Sequence, residues 1–193
     1  LKAVEWLLSK GADVNKADRE GATALHVASN HLGRADAIPL LLRRSADPNR
    51  VTELGRSPIY DAAVARNSEA LARLMEAPNA NANLPDKDGA TPIIAALQSW
   101  GIGPIVPVLR MLVEKGAEVR AVYPRTGDTP LSLALENLAR WEGLGRVVDL
   151  LVQKRAYVDV PNAEGKTPIG IALTRNHEDI AIDLLHTGER QGG

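Results

Sequence analysis

The chain has 193 residues, 45% of them apolar and 24% charged, with a net charge of -1, which is ordinary for a soluble globular protein. So even a charge balance argues against a nucleic-acid-binding domain, and no apolar run reaches the roughly 18 residues of a membrane span. The absence of Cys excludes disulfides, Cys-ligated zinc and Cys nucleophiles, and with 3% aromatics and no Phe the core must be built from Leu, Ile, Val and Ala.

In chain order, Leu1 to Leu8 reads as a helix ending at Gly11, with Trp6 in an apolar slot and expected in the core. There is no initial Met and no secretory pattern, so this segment is expected to be a second helix whose first helix is missing, or a half-unit acting as a cap. From Asp18 onward the chain repeats. Gly followed two residues later by Thr or Ser recurs at Gly21, Gly55, Gly89, Gly127 and Gly165, spaced by 34, 34, 38 and 38 residues. Seven residues after each Gly stands an Ala (Ala28, Ala62, Ala96, Ala134, Ala172). Nine or ten residues before each Gly stands another (Ala12, Ala46, Ala80, Ala117, Ala156).

Each unit reads as turn, helix, helix. Gly in the turn accepts positive φ, Thr or Ser caps the first helix, and Pro58, Pro92, Pro130 and Pro168 fit its first position, where the missing N–H costs nothing; Ala24 replaces Pro in the first unit. The second helices carry broader apolar stripes, as at 37–42, 108–113 and 147–152. Gly11, Gly116 and Gly188 are expected to stop them in left-handed caps, with Asn79 the next best choice there and Ser45 and Arg155 filling the same slot less comfortably. Pro39 and Pro107 are expected in the first turn of their helices, where no interior hydrogen bond is lost. The extra residues of the longer units fall between their two helices, around Ser99–Ile105 and Asn137–Leu144, and each insertion brings a Trp, Trp100 and Trp141.

The motifs Thr-Ala-Leu-His-Val-Ala (23–28), Ser-Pro-Ile-Tyr-Asp-Ala (57–62), Thr-Pro-Ile-Ile-Ala-Ala (91–96), Thr-Pro-Leu-Ser-Leu-Ala (129–134) and Thr-Pro-Ile-Gly-Ile-Ala (167–172) resemble the core signature of ankyrin repeats. Leu-Leu-Ser-Lys-Gly-Ala-Asp-Val-Asn (7–15) resembles the end of an earlier repeat. The resemblance implies an all-α solenoid with short β-hairpin turns: a half-repeat at 1–17, then five repeats at 18–51, 52–85, 86–123, 124–161 and 162–193, forming one domain. It also implies that His26 ties adjacent units by hydrogen bonds, a residue replaced by Tyr60, Ile94, Ser132 and Gly170 in the other units. The last helix, Glu178 to His186, has the polar outer face of a terminal cap.

No His-X3-His or Glu-X2-His spacing points to zinc, no Gly-X-Ser-X-Gly elbow occurs, and Gly101-Ile102-Gly103-Pro104 lacks the Lys and Ser or Thr of a phosphate loop. Neither a catalytic residue, a metal nor a cofactor is expected. What remains is surface: Arg19, Glu20, Glu53, Arg56, Lys87, Arg125, Asp128 and Lys166 near the turn glycines, with Asn30, Gln98 and Glu136 on the first helices, and Trp100 and Trp141 in the insertions. Both charge signs occur along this strip, which favours a protein partner over a polyanion. The expected role is a non-catalytic protein-binding module, itself monomeric, using the concave face and hairpin tips. Arg19, Arg56, Arg125 and Lys166 would meet acidic groups, and Glu20, Glu53 and Asp128 basic ones. An inhibitor or immunity-type protein that blocks an enzyme's active site is one alternative; the scaffold part of a larger protein is another.

Overall fold

The computed structural model describes residues 1–99, 104–138 and 143–191, the last three by backbone alone. Eleven α-helices lie within them: α1 (Lys2–Ser9), α2 (Ala24–Asn30), α3 (Ile38–Arg43), α4 (Pro58–Val64), α5 (Ser68–Leu74), α6 (Pro92–Gln98), α7 (Ile105–Glu114), α8 (Pro130–Asn137), α9 (Leu144–Gln153), α10 (Pro168–Thr174) and α11 (Glu178–Gln191). Thr23, Ser57, Thr91, Thr129 and Thr167 stand as N-caps in extended backbone. Ser57, Thr129 and Thr167 each accept the N–H of the third helical residue, which satisfies a donor the helix cannot use internally. Pro39 and Pro107 fall at the second and third positions of α3 and α7, so neither breaks an interior bond.

The helices form two layers. α2, α4, α6, α8 and α10 pack side by side in that order, and α3, α5, α7, α9 and α11 pack likewise behind them. Ala28, Ala62, Ala96, Ala134 and Ala172 are all buried in the first layer, and their small side chains let neighbouring helices approach. Leu25, Ile59, Ile93 and Leu131 are completely buried among them, each worth about 1.5–3 kcal/mol of apolar burial. The stack is therefore held by contacts between successive units rather than by one central core.

The expected hairpins are tight loops; among the described residues there is no strand. Across its mouth each loop is closed by one backbone bond, from the Asp18 N–H to the Ala22 carbonyl (2.9 Å), Thr52 to Arg56 (3.0 Å), Asp86 to Ala90 (3.0 Å), Tyr123 to Asp128 (2.8 Å) and Asn162 to Lys166 (3.0 Å), while the turn glycine's N–H bonds back to the carbonyl of the first of each pair. One such bond is too few for a strand ladder.

The caps at Gly11, Ser45, Gly116 and Arg155 do adopt left-handed backbone, with φ of 85°, 65°, 87° and 62°. Three expectations are corrected. Asn79 is not left-handed; α5 ends early, at Leu74, and successive turns carry the chain from there to Ala80. Gly188 stops nothing, because α11 runs through it to Gln191. Trp6 is 60% exposed rather than in the core, since α1 packs inward through Val4 and Leu8.

A line of amides staples the units along one edge. Asn15 donates its Nδ2 to the Ser45 carbonyl (3.0 Å) and accepts the Asp47 N–H at Oδ1 (2.8 Å). Asn49 does the same to the Asn79 carbonyl (2.7 Å) and the Asn81 N–H (2.9 Å), and Asn83 to the Gly116 carbonyl (2.9 Å) and the Glu118 N–H (2.8 Å). In the third repeat Arg120 keeps only the donating half, from Nε to the Arg155 carbonyl at 2.8 Å. At about 0.5–1.5 kcal/mol net per bond, Asn49→Ala is expected to cost about 1–2 kcal/mol in chemical denaturation. Hydrogen exchange should show the Asn81 amide losing protection; an unchanged Asn81 would mean that the amide line does not couple the units.

Candidate recognition surface

The loop tips are joined laterally by backbone. Glu53 donates its N–H to the Glu20 carbonyl at 2.8 Å, Lys87 to Leu54 at 2.9 Å and Ala163 to Thr126 at 2.8 Å. This closeness explains the turn glycines better than φ alone. A Cβ on Gly55 would meet the Lys87 nitrogen at 2.8 Å, and one on Gly127 the Ala163 nitrogen at 2.9 Å. Between the third and fourth tips a side chain takes over: a Cβ on Gly89 would meet Pro124 Cγ at 2.7 Å.

On this row Arg19, Glu20, Glu53, Arg56, Lys87, Arg125 and Lys166 are exposed, as are Asn30 and Gln98 at the ends of α2 and α6. Several are brought into pairs. Arg125 Nη1 lies 3.4 Å from Asp88 Oδ2, both well exposed, a type of pair that contributes little to stability. Glu136, half-buried on α8, receives Arg175 and stands 3.8 Å from the Lys166 ammonium. The Lys166 ammonium also lies 2.7 Å from Glu164, and Glu164 first, then Glu136, hold its pKa above the usual lysine value. Asp128 is half-buried and accepts from Thr126 Oγ1 (2.6 Å), Ser132 Oγ (3.0 Å) and Asn162 Nδ2 (2.9 Å), so its carboxylate is already engaged in joining two units. Trp100 and Trp141 lie outside the described residues.

His26 is buried at the foot of the row. Its Nδ1 accepts the Thr23 N–H at 3.1 Å, which places the ring proton on Nε2, 3.0 Å from the Arg56 carbonyl in the next unit. Burial lowers its pKa, favouring the neutral ring this arrangement requires. The tie expected of His26 is thus present, and two of the replacements make ties of their own. Tyr60 donates its hydroxyl to Asp86 Oδ2 in the next unit at 2.6 Å, while Ser132 is linked through Asp128 to Asn162 of the unit that follows its own. The Arg56 guanidinium lies over the Tyr60 ring, 5.5 Å from its centroid, in cation–π geometry.

One residue the motifs contain but charge counting does not single out is Asp61. It is half-buried on α4, one turn before Val64 on the same helical face. Burial pushes its carboxyl pKa up to about 6, with Arg56 pulling the other way. The signal that finds it is a comparison of equivalent positions: Val27, Asp61, Ala95, Leu133 and Ile171 occupy the same slot of the five motifs, and only one is charged. Among the described residues no three His, Asp or Glu side chains gather as metal ligands, and no helix is long and apolar enough to cross a membrane.

Comparison with known proteins places this geometry. The chain is 31% identical over 172 residues to Neurogenic locus notch homolog protein 1 of Xenopus tropicalis, covering 86% of the chain and 6% of that protein. It is 35% identical over 144 residues to the B-cell lymphoma 3 protein homolog of Mus musculus, covering 74% and 29%. To the putative palmitoyltransferase ZDHHC13 of Danio rerio it is 31% identical over 183 residues, covering 94% and 27%. The chain thus spans less than a third of the length of these relatives. Among solved structures, an ankyrin repeat domain from Acinetobacter baumannii superimposes with a TM-score of 0.84 at 24% identity, over 97% of this chain and 92% of the other. A sequence profile of ankyrin repeats matches residues 1–52 and 33–123, well over half of the chain, which is therefore a member of the ankyrin-repeat family.

Proposed function

We propose that the chain is a non-catalytic protein-binding module that seats a partner protein along its loop tips and the exposed ends of its first helices, with no cofactor and as a monomer. The observation that carries this reading is the backbone linkage of the tips through Glu20, Glu53, Leu54, Lys87, Thr126 and Ala163. It fixes a row of exposed charges of both signs on a scaffold already rigid before binding, so little ordering entropy is lost on association. Pairs such as Arg125 with Asp88 are exposed enough to exchange one another for a partner's groups. Mixed charge along the row favours a partner of matching alternation over a polyanion.

The test is affinity purification with the tagged chain from its native cells, followed by charge reversal. Arg56→Glu with Lys87→Glu, both on the tips, is expected to weaken the captured complex about tenfold or more, as disrupted interfacial charge pairs do. Arg110→Glu with Arg146→Glu, both exposed on the second-helix layer, is expected to leave it within about twofold, as surface charges outside an interface do. The reverse pattern would place the interface on the opposite face. That the chain aligns with only a small share of each curated relative supports a second reading, in which the module serves as the scaffold part of a larger protein.

A further inference from the structure

We propose that Asp61 is the anchor point for a basic side chain of the bound protein, arginine or lysine, inserted below the row of tips. This rests on the binding role proposed above and names the chemistry at its centre. Three observations converge on it. First, among the described residues the Asp61 side chain accepts no hydrogen bond and enters no close ion pair, although it is half-buried. A carboxylate taken from water without a partner is costly. Second, folding does not call for it. The same slot on the flanking helices α2 and α6 carries Val27 and Ala95, and further along Leu133 and Ile171, so an apolar residue satisfies this position in every other unit. Third, the Arg56 charge acts on it only from a distance and offsets it in part, because the Arg56 guanidinium lies over the Tyr60 ring, and Tyr60 donates its hydroxyl to Asp86.

Asp61 is therefore destabilising for the free chain and has both carboxylate oxygens available. A guanidinium could occupy them as a bidentate pair, and an ammonium as a point charge. Its place beside Val64, one turn along α4, sets the carboxylate on the face that carries the exposed helix ends. An acidic or apolar partner group would leave it unpaired, so the position discriminates among partners as well as attracting one.

The experiment uses the full chain and a phage-displayed library of random linear peptides. Binders selected on the wild type are measured against Asp61→Asn, Asp61→Leu, Lys87→Glu and Arg110→Glu, each shown by circular dichroism to be folded. The expected result is that binders sensitive to Lys87→Glu share a Lys or Arg. Exchanging that residue for Gln should lower affinity about tenfold or more on the wild type, the loss typical of breaking a desolvated charge pair, and less than about twofold on Asp61→Asn and Asp61→Leu. Binders that respond to Lys87→Glu but bind both Asp61 variants as tightly as wild type would overturn the Asp61 assignment and leave the tip surface standing. Binders that respond only to Arg110→Glu would overturn both.

Discussion

Gly55→Ala is expected to destabilise the stack by about 2–4 kcal/mol, whereas Gly165→Ala in the same motif costs about 1–2 kcal/mol. Both glycines have left-handed backbone, at φ of 79° and 75°, which a Cβ disfavours by about 1–2 kcal/mol. They differ in what lies next to them. The added Cβ at Gly55 would meet the Lys87 nitrogen at 2.8 Å and two backbone carbons of Asp86 at 3.0 Å, while at Gly165 nothing lies within 4 Å. Backbone cannot swing aside as the end of a side chain can, so the second tip must move off the third, which adds the roughly 1–3 kcal/mol of overpacking. The bond from the Lys87 N–H to the Leu54 carbonyl is the one that lengthens. Denaturation by urea gives the two stabilities, and hydrogen exchange gives the local one: the Lys87 amide should lose protection in Gly55→Ala and keep it in Gly165→Ala. Equal losses in the two variants would mean that the glycines serve only their own turns.

The contrast between these two glycines also marks how far the sequence can be read. The units announce themselves because each anchor acts locally. Thr before Pro starts a helix wherever it stands, and the first helices begin at Ala24, Pro58, Pro92, Pro130 and Pro168 as their motifs require. The added residues fall between α6 and α7 and between α8 and α9 because a helix pair must stay in register with its neighbours while the connection between its helices need not. Signals that depend on what lies one unit away are weaker in the sequence. Gly188 reads as a stop, but a helix stops where the chain gains by turning, and α11 continues at the modest cost of an interior glycine. Trp6 reads as core because its slot is apolar, yet an amphipathic helix buries only the face that meets a neighbour. The amides of Asn15, Asn49 and Asn83 serve partners about 30 residues away, which no local pattern reports. The exposed tip charges are legible as a strip, whereas Asp128 is drawn into the fold by Ser132 and Asn162. Asp61 becomes visible only when the five motifs are compared position by position.

Asp61→Asn is expected to stabilise the free chain by about 2–3 kcal/mol at pH 7.5 and to leave it unchanged near pH 3.5. Burial raises the folded-state pKa of Asp61 from 3.8 to about 6, and Arg56 offsets only part of that rise. Below the unfolded value the carboxyl is protonated in both states and contributes no pH-dependent difference. As pH rises from there through the folded value, the unfolded chain releases its proton first, and folding must retain a proton or bury a charge. The stability present at low pH is therefore lost between about pH 4 and 6 and stays lost above it. At about 1.36 kcal/mol per pH unit of displacement, a rise of about two units corresponds to about 3 kcal/mol, the upper end of the expected gain because the group keeps some contact with water. Asn has the shape and neutrality of the protonated acid at every pH, so the difference between the two proteins isolates this ionisation from all the others. Urea denaturation of both across pH 3.5 to 8 checks it: the two curves should coincide at the acid end and separate to a plateau above about pH 6.5. A gap that is flat across the range would show that folding leaves the acidity of Asp61 unchanged, and one that opens towards acid would show that its surroundings stabilise the carboxylate, so that the fold has a use for the charge without any partner.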